Sequence, residues 1–211
     1  DFKNELEKKF FVQSECIYNP LNKKLIIKKS KEKIRLPFFS KKKILRIITV
    51  GRLVEQKDHT TLIEALGLIK DKIDFRLLII GKGKLKSNLE ILIKKLKLNR
   101  KIKILNFQNN PYKFIKISDL FILSSTYEGL PNVLLETGVL KRFIISSNCP
   151  TGPNEILSKG KGGLLFNTGD YKDLSEKIIF FKKNKKRLNK KIEYNFRHLN
   201  RFNYDTNLKK Y

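Results

Sequence analysis

From Ile44 onward, short apolar runs alternate with stretches in which apolar residues recur every three or four positions. The runs at 44–50, 75–80, 102–105, 120–123, 143–146 and 163–166 have the length and polar boundaries of buried strands. Between them, Leu62, Ala65, Leu66 and Ile69 share one helical face, with Asp58 or Thr60 as the cap. Leu85, Leu89, Leu92, Ile93 and Leu96 form a second stripe, and Pro111 opens a short helix carrying Tyr112, Phe114 and Ile115. Strands separated by helices, with continuous apolar runs, predict an α/β fold: a Rossmann-like parallel sheet with helices on both faces. Ligands of such sheets lie beyond the carboxyl ends of the strands. The polar motifs of this chain follow its strands.

The flanks have a different texture. Residues 2–10 read as the tail of a preceding amphipathic helix, and 15–20 as a strand ending in a turn at Asn19-Pro20. Residues 23–43 are basic and poorly periodic, which predicts a linker or exposed loop broken by Pro37. Residues 181–211 are basic and aromatic, which predicts a helical tail. Three parts follow: 1–43, the end of a preceding domain and a linker; 44–180, the sheet domain; 181–211, the tail.

The stretch Ser118 to Gly138, SDLFILSSTYEGLPNVLLETG, carries the most chemistry. An apolar strand runs into a polar turn, then Glu128, a Gly-Leu-Pro-Asn loop and a helix bearing Glu136, eight residues after Glu128. Pro131 suits a helix start, where its missing N–H costs nothing. The N–H groups near Asn132 and Val133 would face outward at the positive end of the helix, a natural seat for phosphate. Glu136 can accept from a vicinal diol such as ribose, and Glu128 from another sugar. Two solvated glutamates on an ordinary strand–turn–helix are the plainer reading of the same residues.

This phrase resembles the E-x7-E signature of family-4 glycosyltransferases, the retaining enzymes of the GT-B fold. Other segments match the family in order: VGRLVEQKDHTTLIEAL, RLLIIGKGKLKSNLE, NCPTGPNEIL and GKGGLLFNTGDYKDLSEKI. The resemblance covers about residues 44 to 180. It implies the C-terminal, donor-binding half of a GT-B fold. Its substrate would be a UDP-sugar, with a GDP-sugar as the other option. The acceptor would be a glycan or lipid-linked sugar in surface polysaccharide or lipid-linked glycan synthesis. No metal or other cofactor is implied. Arg52, after Gly51, and Lys57 would hold the donor diphosphate, and Glu128 the transferred sugar. Glu136 would hold the ribose, and the backbone of Leu130, Pro131, Asn132 and Val133 would line phosphate or sugar. The base would pack near Asn106, Phe107 and Gln108. The family transfers on the same face of the sugar, with the acceptor hydroxyl aided by the departing phosphate. Its catalytic-region histidine lies in the other domain, so neither His59 nor His198 inherits that role. The last helices of the family cross back onto that domain. With no such domain present, the tail is expected to be mobile or to face a membrane.

Composition adds limits. The 211 residues hold no Met and open in mid-segment, which leads us to expect a fragment lacking its N-terminal domain and inactive in transfer alone. Hydrophobic residues make up 40%, enough for a core, yet no run of about 18 apolar residues could span a bilayer. Cys16 and Cys149 lack metal or redox spacing and fit a reducing compartment. We therefore expect a cytoplasmic protein, with the inner face of an anionic membrane as a further partner. The net charge of +27 also raises a different class, a basic nucleic-acid-binding module. Against it, lysines are spread over nearly every segment, and aromatic residues sit inside apolar runs rather than between cations. Gly81-Lys82-Gly83 lacks the rest of a dinucleotide fingerprint and reads as a tight strand-to-helix turn.

Overall fold

A computed structural model describes residues 7–13, 15, 17–40 and 43–209. Cys16 lies outside them. Six strands form one sheet: β1 (Leu45–Val50), β2 (Phe75–Ile80), β3 (Ile102–Leu105), β4 (Leu120–Leu123), β5 (Phe143–Ser147) and β6 (Leu164–Phe166). All pairings are parallel and the spatial order is β3-β2-β1-β4-β5-β6. Chain order reverses between β1 and β4, whose register sets Ile47 against Leu120. This is the Rossmann-like sheet the hydrophobic pattern predicts, and its switch point is where such sheets open a crevice for ligands.

Side chains alternate along each strand, so the sheet feeds two cores. Leu45, Ile47, Leu77, Ile79, Leu120 and Ile122 point to one face. There they meet α2 (His59–Leu68) and α3 (Lys86–Lys95), numbered after α1 (Lys23–Ser30), and the long α7 (Tyr171–His198). Ile48, Leu78, Ile80, Phe121 and Leu123 point to the other face. They meet α1, α4 (Tyr112–Lys116), α5 (Asn132–Val139) and α6 (Pro153–Ile156). A last short helix, α8 (Tyr204–Leu208), ends the described chain.

The structure changes three expectations for the flanks. Residues 17–20 form no strand; Leu21 makes a single parallel bridge with Asn203. The basic stretch 23–43 holds α1 and a 3₁₀ turn at Pro37–Phe39, because Asn22 caps the helix and Ile26 and Phe39 bury into the second core. The tail is not loose. Helix α7 runs through residue 180, with a kink at Asn184. Leu174, Ile178, Phe181 and Leu188 make its buried stripe, and the chain returns to bury Leu199 and Phe202. Lysines fill the outer face.

An ion-pair cluster pins the amino ends of the strands. Arg46 holds Asp119 through three bonds, Nε to Oδ2 at 2.9 Å, Nη2 to Oδ1 at 3.1 Å and its backbone N–H to Oδ2 at 3.0 Å. Lys185 of α7 adds a fourth at 2.7 Å. Burial alone would raise the Asp119 carboxyl, but the Arg46 and Lys185 bonds outweigh it and hold it below the ordinary range. A depressed carboxyl stabilises the fold above its unfolded pKa, and that contribution is lost as pH falls through the folded one. Asp119→Asn should therefore cost about 1–3 kcal/mol at neutral pH, with the partial exposure of Arg46 moderating it. Urea unfolding at pH 7 and pH 3 checks this: the deficit should already be smaller at pH 3, below the unfolded pKa, and an equal deficit at both would contradict the assignment.

Candidate donor-binding site at the carboxyl edge

The loop after β1 is built to approach its neighbours closely. Leu53 N–H donates to the Lys82 carbonyl at 2.9 Å, and Leu85 N–H returns to the Leu53 carbonyl at 3.0 Å. A Cβ on Gly81 would stand 1.9 Å from the Gly51 carbonyl oxygen, and one on Gly83 2.3 Å from that of Leu53. The two glycines are thus a tight turn that lets two backbones touch. Asp58, in the left-handed region at φ 42°, then caps α2 by accepting from Thr61 N–H. His59 is 3% exposed; its Nε2 lies 3.2 Å from the Arg52 carbonyl, the partner of an Nε2–H tautomer. Burial lowers its pKa to about 4, so the ring is neutral. It is a packing residue beneath the loop.

Across the switch point, the loop after β4 meets the loop after β1. Lys57 Nζ donates to Glu128 Oε1 at 2.5 Å, and their side chains are 16% and 7% exposed. Ser125 donates to the same oxygen at 2.6 Å. Ser124 donates to the Lys57 carbonyl at 2.9 Å, and Thr126 N–H to the Gln56 carbonyl at 2.8 Å. Gln56 Nε2 reaches the Tyr127 carbonyl at 2.9 Å while its Oε1 accepts from Arg52 at 3.3 Å. The end of β5 and the loop after it close the group: Ser147 donates to the Ser125 carbonyl, and Thr151 to that of Glu128.

Glu128 is therefore a buried, paired carboxylate, not a solvated one. Glu136 differs. It lies partly buried on α5, and burial raises its pKa while a bond from the Tyr112 hydroxyl, 3.0 Å long, lowers it. Pro131 caps α5 rather than occupying its first turn. The side chains of Leu130 and Val133 pack against the second core and are only partly exposed. Asn132 accepts from Asn19 at 3.0 Å. Asn106 accepts from Lys86, Gln108 bonds back to the Asn106 carbonyl, and Phe107 is 60% exposed beneath Lys82.

The structure thus joins Arg52, Lys57 and Glu128 through one network and leaves Asn106 to Gln108 on a separate shelf past β3. Sequence reasoning missed Gln56, Ser124, Ser125 and Thr151, which hold that network, and Tyr112, which holds Glu136. Ser125 has its partner Glu128 three residues on and Gln56 accepts from Arg52 four residues before it, but the other partners are 23 to 71 positions away, where spacing carries no sign of them. Cys149 is buried and free. Two hollows of ≈ 420 and ≈ 590 Å³ lie at the opposite, amino edge, lined by Asp119, Arg142 and Lys185 and by Lys31, Arg46 and Lys116. None of the candidate-site residues lines them. Among the described residues, no helix is long and apolar enough to cross a membrane.

Fold and site together define a Rossmann-like α/β domain with cations, carboxylates and a helix start gathered at its switch point. The family described as "Glycosyl transferases group 1" matches residues 30–198, and the chain belongs to it. A curated relative is the N-acetylgalactosamine-N,N'-diacetylbacillosaminyl-diphospho-undecaprenol 4-alpha-N-acetylgalactosaminyltransferase of Campylobacter jejuni. It is 36% identical over 151 residues, 72% of this chain and 39% of the relative. A crystal structure of a glycosyltransferase from Rickettsia africae superposes with a TM-score of 0.84 at 22% identity, over 99% of this chain and 59% of that one. Anabaena Alr3699/HepE in complex with UDP gives 0.79 at 19% identity, over 93% and 55%. The fold is one half of the GT-B arrangement these structures share. The chain spans less than two thirds of each of these proteins, from 39% to 59%.

Proposed function

We propose that this chain is the donor-binding half of a retaining glycosyltransferase that uses a UDP-sugar, hexose or N-acetylhexosamine, to extend a lipid-linked or surface glycan. The observation that carries this reading is the Arg52–Gln56–Tyr127 and Lys57–Glu128 network at the switch point, beside the start of α5 and Glu136. The Campylobacter relative's name describes N-acetylgalactosamine addition to a polyprenyl diphosphate sugar, and the Anabaena neighbour holds UDP. Both fit a site with cations at one end and diol-accepting carboxylates at the other.

The chemistry follows from charge. As the glycosidic bond breaks, negative charge grows on the leaving diphosphate. Arg52, Lys57 and the N–H groups at the start of α5 would stabilise it, a role that fixed cations and helix N–H groups can fill without a metal. Glu128 holds sugar hydroxyls. A second Rossmann-like domain, matching the greater length of the relatives, would bring the acceptor hydroxyl, which departing phosphate helps deprotonate. The Lys-rich outer face of α7 suits a position at the inner, anionic face of a membrane.

The test is calorimetric titration of the chain with UDP, GDP, UDP-glucose and UDP-N-acetylglucosamine. Saturable UDP binding is expected; none at millimolar nucleotide would reject the reading. Glu136→Ala should weaken UDP by about 1–3 kcal/mol, because charged hydrogen bonds to the diol are lost. Glu128→Gln should spare UDP and weaken the UDP-sugars. Equal losses on both ligands in both variants would show the two roles to be misassigned.

A further inference from the structure

We propose that Tyr112 is a positioning residue for the ribose end of the donor site. The inference rests on the reading of Glu136 as the diol acceptor. Tyr112 stands first in α4, with its ring partly buried against the second core. Its hydroxyl crosses from the β3–β4 connection to α5 and donates to Glu136 Oε1 at 3.0 Å. Among the described residues, it alone donates to that carboxylate.

The contact does two things. It occupies one oxygen and fixes the plane of the carboxylate, leaving Oε2 and the second lone pair of Oε1 for a vicinal diol. It also offsets the burial that disfavours the charged form of Glu136. The phenol stays a donor throughout, since burial and the neighbouring carboxylate raise its pKa to about 12. Without the hydroxyl, a half-buried carboxylate can turn away or take up a proton, and either change spoils a two-point contact with ribose. Nothing in this places Tyr112 against phosphate or sugar, so its influence should be confined to the 2′ and 3′ hydroxyls.

The experiment titrates the wild-type chain and Tyr112→Phe with UDP and 2′-deoxy-UDP, with thermal unfolding to confirm that the variant folds. The wild type should prefer UDP by about tenfold, one charged hydrogen bond's worth. Tyr112→Phe should bind UDP about fivefold more weakly than the wild type does and lose less for 2′-deoxy-UDP, which keeps only the 3′ contact, so the preference narrows to a few-fold at most. In a Glu136→Ala background, Tyr112→Phe should have no further effect. A variant that keeps the wild-type preference, or weakens both nucleotides alike, overturns the role of Tyr112 while leaving the donor-site reading standing. A wild type that binds the two nucleotides equally overturns both.

Discussion

Lys57→Met is expected to weaken UDP binding by on the order of 100-fold while leaving uridine within about twofold. Two effects meet in this residue. The first is the lost contact with diphosphate, which uridine never makes. The second is the loss of the Glu128 partner, whose side chain is only 7% exposed. An uncompensated buried carboxylate should lower folding stability by about 3 kcal/mol. Adding Glu128→Gln separates the two. The amide fills the same volume, still accepts from Ser125 and needs no cation, so most of the stability should return. UDP affinity should not. Arg52→Ala, at a more exposed cation, should also weaken UDP selectively, with a penalty that shrinks at high salt. Recovery of UDP affinity in the double variant, or an equal loss for uridine, would disprove the phosphate role of Lys57.

Gly81→Ala should be among the most damaging single methyls in the molecule for both folding and binding. The new carbon would stand 1.9 Å from the Gly51 carbonyl oxygen and 3.0 Å from its carbon. Both obstacles are backbone and neither can swing aside, so the ends of β1 and β2 must part. A loss of at least about 3 kcal/mol is expected. Whatever folds should bind UDP poorly, because Gly51 leads directly into Arg52. Gly129→Ala is the matched control for stability: nothing lies within 4 Å of its added carbon, and a change within about 0.5 kcal/mol is expected. Similar denaturation midpoints for the two variants would mean that the loops after β1 and β2 do not meet as described.

The sheet was legible because each strand is a dense apolar run that no solvated loop would carry. Leu77 and Leu78 show why: neighbours on opposite faces are both fully buried, so the run reads as continuous rather than alternating. The flanks were less legible. In α7, Leu174, Ile178, Phe181 and Leu188 keep helical spacing, but lysines crowd around them and mask the stripe. In α1, Ile26 is the main buried apolar anchor among cations, too little to set a period.

The candidate site divides in the same manner. Arg52, Lys57 and Glu128 stand in the loops that follow strands, and Glu136 on the helix after one of them, where topology brings polar residues together whatever their spacing. Lys57 and Glu128 are 71 positions apart, however, and no pattern in one chain pairs them. Gln56 and Thr151 work through backbone carbonyls, which leave no trace in residue type. Tyr112 looked like one more apolar position of a short helix, and only the fold turns its hydroxyl toward Glu136.

The lacing of the three loops by Gln56, Ser124, Ser125 and Thr151 has a thermodynamic consequence. Segments that would otherwise have to be immobilised by a nucleotide are already immobilised when the chain folds. The entropy of ordering them is therefore charged to folding, and association keeps more of its gross interaction energy. Binding should then resemble a key entering a cut lock, with a heat-capacity change set by ligand contact alone and little slow relaxation after encounter.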